Sequence, residues 1–144
     1  MRILVMGLPG SGKTTFAAAL GAELFFNKKF TWFNADAIRE RYNDWDFSPE
    51  GRLRQAKRMR ELADKEELEG RIVIADFVAP IKEMRDLYDA DITVWMDTIA
   101  EGRFEDTNKL FDPPIYYDYR VTSWDDYWVK EIAERILSTS SFQQ

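Results

Sequence analysis

At 144 residues, 45% of them hydrophobic and 32% charged, the chain is expected to form one globular domain over residues 1–144 with a single sizeable core. It has no cysteine and no histidine, which excludes disulfides, thiolate nucleophiles and imidazole acid–base chemistry and leaves such work to carboxylates, lysines and tyrosines. A net charge of −6 weighs against a broad nucleic-acid-binding face, and no apolar run approaches the roughly 18 residues that cross a bilayer.

The first predicted element is a short apolar strand, Arg2-Ile3-Leu4-Val5-Met6, which reads as core and not as a signal peptide. With no cysteine to argue for export, a cytoplasmic protein without a membrane partner is expected. The strand runs into Gly7-Leu8-Pro9-Gly10-Ser11-Gly12-Lys13-Thr14, which satisfies G-x-x-x-x-G-K-[ST] at every fixed position. A helix is predicted from about Lys13 to Phe25. The glycines let successive N–H groups turn inward, and the helix adds free N-terminal donors and the positive end of its dipole. Such a loop holds phosphates, with the lysine on the β- and γ-phosphates and the threonine hydroxyl on Mg²⁺. Gly7, Leu8, Pro9, Gly10, Ser11, Gly12, Lys13, Thr14 and Thr15 are therefore the expected phosphate-binding residues. Lys13 has a catalytic role in neutralising phosphate charge, Thr14 is a metal ligand, and ATP and Mg²⁺ are the expected cofactors.

A polar turn at Asn27-Lys28-Lys29 leads to a second strand, Phe30 to Asn34, with Asp36 just beyond its end and a short helix over Ala37 to Arg41. After a loop from Asn43 to Phe47, Ser48 as N-cap, Pro49 at the first helical position and Glu50 by the dipole start a long helix. It runs to about Leu68 and stops at Gly70. A third strand, Arg71 to Ala75, ends in Asp76; a helix opens at Pro80 and reaches about Tyr88; a fourth strand, Ile92 to Met96, ends in Asp97. Thr98 to Tyr117 has no clear period and reads as a long functional loop with one helical turn, a lid over about 98–117. A fifth strand over Tyr119 to Thr122 precedes a last helix from about Ser123 to Leu137, carrying Trp124, Tyr127, Trp128, Ile132 and Ile136, and a frayed tail from Ser138 to Gln144.

Alternating strands and helices predict an open, mostly parallel sheet with helices on both faces, and ligands outside the carboxyl ends of its strands. The glycine loop, Asp36, Asp76 and Asp97 all stand at such ends. Asp76 is the candidate carboxylate for Mg²⁺ and Asp36 the candidate base for an acceptor hydroxyl, each with helix capping or a loop position as its alternative. Asp97 reads as structural, a cap with Thr98. Arg52, Arg54, Lys57, Arg58 and Arg60 place five cations in nine residues. They read either as a solvated face balanced by Glu61, Asp64, Glu66 and Glu67 or as a subset aimed at an anionic substrate. Phe47 and Phe111, in loops, are available to stack on a base or to pack in the core or lid.

Together these segments resemble adenylylsulfate kinase, which phosphorylates the ribose 3′-hydroxyl of adenosine 5′-phosphosulfate. Asn34-Ala35-Asp36-Ala37-Ile38-Arg39 is similar to the family's D-G-D-N-V-R, with Asp36 and Arg39 on its second Asp and its Arg. Phe47-Ser48-Pro49-Glu50-Gly51-Arg52 is similar to the substrate-binding F-S-x-x-x-R, with Arg58 on a later arginine; Phe77-Val78-Ala79-Pro80-Ile81-Lys82 is similar to F-I-S-P-Y-R, and Phe111-Asp112-Pro113-Pro114 to Y-E-x-P. The departures are Gln55 for asparagine, Ala79 for serine, Lys82 for arginine and Asp76 for serine. The basic lid helix is largely deleted, with about fifteen residues between Asp97 and Pro113. The resemblance implies a P-loop NTPase fold with five strands in the order 2-3-1-4-5. It implies substrate contacts at Asp36, Arg39, Phe47, Arg52, Gln55, Arg58, Phe77 and Lys82, with Arg103 or Lys109 of the lid closing over the phosphates. The expected partner is a small anionic nucleotide-like acceptor, for a monomer or homodimer. A nucleoside, modified base or polynucleotide end is the second choice, because a shortened lid opens the site, and a non-kinase nucleotide switch is the third.

Overall fold

The computed structural model describes residues 1–141. β1 (Arg2–Met6), β2 (Phe30–Asn34), β3 (Ile72–Asp76), β4 (Ile92–Met96) and β5 (Tyr119–Val121) form one parallel sheet in the order β2-β3-β1-β4-β5. Between and after them run α1 (Lys13–Leu24), α2 (Ala35–Tyr42), α3 (Pro49–Leu68), α4 (Lys82–Tyr88), α5 (Glu105–Leu110) and α6 (Asp126–Ser141).

Side chains alternate across a strand, so each strand feeds two cores. Ile3 and Val5, Ile72 and Ile74, and Ile92 and Val94 pack with Phe16 and Leu20 of α1 and Ile132 and Ile136 of α6. Leu4 and Met6, Val73 and Ala75, and Trp95 pack on the other side with Met59 of α3 and Met84 and Tyr88 of α4. The central strands are buried on both faces, which is why they read as unbroken apolar runs.

The local signals act as their chemistry requires. Ser48 accepts a hydrogen bond from the Gly51 amide to start α3, and Gly70 takes a left-handed backbone beyond its end. Some boundaries differ by one or two residues: α2 starts at Ala35 instead of Ala37, with Asn34 as its cap, α4 starts at Lys82 instead of Pro80, and β3 takes in Asp76. The last helix begins at Asp126 and continues to Ser141, so Trp124 lies ahead of it, edge-on to Phe16, and residues 138–141 are helical and not a frayed tail. The rest of the tail lies outside the described residues. No helix among the described residues is long and apolar enough to cross a membrane.

Candidate active site

The loop after β1 turns on backbone that only glycine allows. Gly7 has φ +149°, and a Cβ there would lie 2.5 Å from the Met96 carbonyl oxygen. Gly10 and Gly12 are also at positive φ, and Gly12 opens α1. The loop is closed by the Ser11 amide donating to the Leu8 carbonyl at 3.0 Å, and Lys13 Nζ donates to that same oxygen at 3.1 Å. The Lys13 ammonium is depressed below the ordinary lysine value by burial, against the pull of Asp76 and Asp36, with Arg103 pushing the same way as burial. The Ser11 hydroxyl is buried with no hydrogen-bond partner among the described residues. A buried hydroxyl without a partner is a group that the oxygen of a bound ligand can satisfy. Thr14 and Thr15 sit exposed in the first turn of α1.

Next to the loop, the carboxylate of Asp76 is buried at the end of β3. Its Oδ1 accepts from Thr14 Oγ1 at 3.2 Å and from Asn34 Nδ2 at 3.0 Å, and its Oδ2 accepts from Trp32 Nε1 at 2.6 Å. Burial raises its pKa, and these three donors and Lys13 oppose the rise. No cluster of three or more metal-binding side chains occurs among the described residues. The Thr14–Asp76 pair nevertheless fits Mg²⁺, which takes one or two protein oxygens and fills its sphere with water and phosphate.

Asp36 stands in the first turn of α2, exposed, with no side-chain hydrogen bond or ion pair among the described residues. Capping of α2 falls to Asn34, whose Oδ1 accepts from the Ala37 amide at 2.9 Å. The free carboxylate acts electrostatically on Lys13 on one side and on Arg39 on the other.

The cations beyond it divide into two sets. Arg54 and Arg58 are bound to Asp44 of the preceding loop at 2.8 Å each, Arg60 pairs with Asp64 within α3 at 4.0 Å as expected, and Glu66 and Glu67 pair instead with Arg71 and Arg2. Arg58 also donates to Gln55 Oε1, whose amide Nε2 donates to the Ala35 carbonyl. Arg39 and Arg52 are buried and have no ion pair among the described residues. Arg39 donates to the backbone carbonyls of Asp44 and Asp46, Arg52 to that of Phe47, and both guanidinium groups lie over the exposed Phe47 ring, at 4.3 and 5.4 Å from its centroid. Burial lowers the pKa of both. Two desolvated cations that carboxylates act on without pairing with them can be completed by an anion.

The remaining candidates lie apart. Phe77 is buried edge-on to Tyr88, and Lys82 is exposed and paired with Asp86 at 2.6 Å. Asp97 binds Arg120 of β5 at 2.6 Å, so its structural role is an inter-strand ion pair and not a cap. Thr98 donates to the Ser11 carbonyl at 2.7 Å, and a Cβ on Gly102 would lie 3.0 Å from the Pro9 carbonyl oxygen. Asn108 grips Gly102 through both backbone groups, at 2.7 and 2.9 Å. The segment after β4 therefore rests on the glycine loop, with Arg103 acting on Lys13, while Lys109 is exposed on α5. Trp32, Thr98 and Asn108 carry no motif; only strand register and the lid's path reveal them.

A model of the adenylylsulphate kinase family matches residues 1–101, and the chain is 144 residues long. The chain belongs to the adenylylsulphate kinase family. Among the relatives of this kinase-family chain is an adenylyl-sulfate kinase of Bacillus licheniformis, 40% identical over 87 residues, 59% of this chain and 44% of that protein. Another is the chloroplastic adenylyl-sulfate kinase 2 of Arabidopsis thaliana, 36% identical over 112 residues, 70% of this chain and 38% of that protein. The chain spans less than half the length of these curated relatives. The fold matches the Mycobacterium tuberculosis APS kinase CysC in complex with AMPPNP and APS, with TM-score 0.75, 19% identity and 95% of each chain covered. It also matches the shikimate kinase of Aquifex aeolicus, with TM-score 0.60, 17% identity and 99% and 98% covered. At such identities the likeness concerns the fold.

Proposed function

We propose that this chain transfers the γ-phosphoryl group of ATP to a hydroxyl of a small anionic, nucleotide-like acceptor, adenosine 5′-phosphosulfate being the first candidate. The observation that carries the reading is the placement of Asp36, a free carboxylate acting on Lys13 of the phosphate loop and on the guanidinium of Arg39, which has no ion pair among the described residues. A base for an acceptor hydroxyl belongs between the donor's phosphates and the acceptor's anion.

The division of labour follows from the contacts. The loop amides and Lys13 hold the donor's phosphates and offset their charge. Mg²⁺, held by Thr14 and Asp76, would supply further neutralisation of the phosphate oxygens. Arg39 and Arg52 hold the acceptor's anion, Phe47 offers a ring to a base, and Asp36 takes the hydroxyl proton. Gln55 and Arg58 bear on the acceptor side from behind, by fixing the start of α2 and the Asp44 loop. Phe77 and Lys82 take no part in this reading, the one being core and the other paired with Asp86.

The test is a screen of acceptors with γ-labelled ATP. Adenosine 5′-phosphosulfate should be labelled by the parent protein and not by Lys13→Ala. A small acceptor should show a shallow dependence on salt, whereas a polynucleotide loses affinity steeply as counterions compete. Label found only on an oligonucleotide, with steep salt dependence, would overturn the acceptor assignment. ATP turnover by Lys13→Ala equal to the parent's would overturn the loop assignment.

A further inference from the structure

β2 is an outer strand: β3 lies on one side of it, and the sheet has no strand on the other. Its register with β3, together with the Ile72 amide donating to the Lys29 carbonyl, shows which backbone groups are used. In a parallel ladder only alternate residues of a strand bond to a given neighbour. Lys29, Thr31 and Phe33 therefore turn toward β3, and the N–H and C=O groups of Phe30 and Trp32 turn to the open edge. Nothing among the described residues bonds to those groups. The strand, Phe-Thr-Trp-Phe-Asn, holds no proline, charge or bulge, the devices that commonly keep an edge from pairing. The opposite edge, β5, is only three residues long.

The open edge leads to a cavity. At the amino end of β2, away from the end that carries the glycine loop, a space of about 430 Å³ is lined by Phe25, Phe26, Phe30, Lys28, Lys29 and Arg71. Phe26 is 91% exposed and meets Phe25 edge-on at 5.1 Å, an apolar surface that the fold leaves to water. The Phe30 ring is lodged against Gly21 of α1, where an added Cβ would lie 2.9 Å from it, so this wall is fixed. Arg71 pairs with Glu66, but the side chains of Lys28 and Lys29 have no hydrogen bond or ion pair among the described residues. Two unpaired ammonium groups beside a phenylalanine-lined cavity, on a chain of net charge −6, suit a ligand that is both apolar and acidic.

We propose that the open edge of β2 takes up an extended, acidic and apolar peptide segment of a partner protein as a sixth strand. The main chain of the segment pairs with Phe30 and Trp32, which gives affinity with little regard to sequence. Selection comes from the side chains: an apolar one enters the cavity between the three phenylalanines, and carboxylates meet Lys28 and Lys29. The same two lysines repel a basic segment, so charge decides which strands can add. Trp32 takes part through its backbone alone, and the site uses no side chain of the phosphate loop or of the acceptor cations.

The probe is a short fluorescein-labelled peptide alternating valine with glutamate, set against its counterpart alternating valine with lysine. Binding is read by fluorescence anisotropy, and strand addition by hydrogen exchange at the Phe30 and Trp32 amides in ¹⁵N-resolved NMR. The parent should bind the glutamate peptide about tenfold more tightly than the lysine peptide, and exchange at both amides should slow by about tenfold or more in its presence. Phe26→Ser, a change at the surface, should weaken binding several-fold. Lys28→Glu combined with Lys29→Glu should reverse the preference, a gain of binding that an unfolded variant would not show. Failure of the parent to bind the glutamate peptide, or equal binding of the two peptides, would overturn the proposal. So would binding that leaves the Phe30 and Trp32 amides exchanging freely, because the peptide would then lie on the surface without joining the sheet. Amides already slow without peptide, in a protein that sediments as a dimer, would assign the edge to a second copy of this chain instead.

Discussion

Asp36 and Asp76 stand at the ends of neighbouring strands and look alike in the sequence, yet their surroundings differ. Asp76 is buried and holds three donors; Asp36 is exposed and holds none among the described residues. A free carboxylate can take a proton from an incoming hydroxyl, and one already filled by donors is better suited to hold position. Asp36→Asn should therefore lower turnover by about 10²–10⁴ with ATP binding nearly unchanged. Asp76→Asn should instead raise the Mg²⁺ concentration needed for half-maximal rate. Steady-state kinetics at several Mg²⁺ concentrations checks both, and equal losses with identical metal dependence would defeat the distinction. Their places at strand ends picked out these two acids, the glycine motif picked out Lys13, and the likeness to a known family picked out Arg39. Trp32 was not legible, because its hydrogen bond depends on the register between two strands about 40 residues apart. The division of the α3 cations was equally hidden, since it turns on Asp44 in a loop with no period.

At the scale of elements, the turn between α2 and α3 does more than connect. Asp44 receives Arg54 and Arg58, and the carbonyls of Asp44 and Asp46 receive Arg39, so the turn holds these three guanidinium groups in place. It fits only because residue 51 has no side chain: a Cβ there would lie 2.2 Å from the Asp46 carbonyl oxygen. In the sequence Gly51 is a weak helix former in the first turn of α3; in the structure it is the space that the turn occupies. Gly51→Ala should cost about 1–3 kcal/mol in urea unfolding, the usual range for overpacking. It should also raise the KM for the acceptor more than that for ATP, because the displaced carbonyl is a ligand of Arg39. Strands and long helices were readable from composition and caps, whereas for α5 only the presence of a helical turn between Thr98 and Tyr117 was readable and not its place. Its position follows from Asn108 holding Gly102 against the loop, a contact without local pattern.

The whole molecule has acids of opposite behaviour. Arg54 and Arg58 hold Asp44 well below the ordinary carboxylate range, and Ser48 and Arg54 lower Asp46. For these the unfolded chain binds protons first, so their stabilisation is full above about pH 4 and is lost as pH falls below it. Asp76 is raised by burial, so the folded protein binds that proton first and gains stability as pH falls toward about 4. Stability should therefore hold or rise slightly from pH 7 to 5 and drop below 4, as measured by urea midpoints across that range. Salt should flatten the low-pH drop, because Arg54 and Asp46 are each nearly half exposed. The order of strands, by contrast, came from the likeness to a known family: alternation of elements implies a parallel sheet but does not choose among its permutations.

That order has a consequence for the birth of the chain. β1, which leads into the phosphate loop, lies in the middle of the sheet between β3 and β4. A ribosome makes it first and its neighbours much later, with roughly 4–14 s passing between Met6 and Asp76 at 5–20 residues per second. During that interval a strand buried at four of its five positions waits without a strand partner. The nascent domain thus begins at its centre and cannot close around it until the segment through Met96 has emerged.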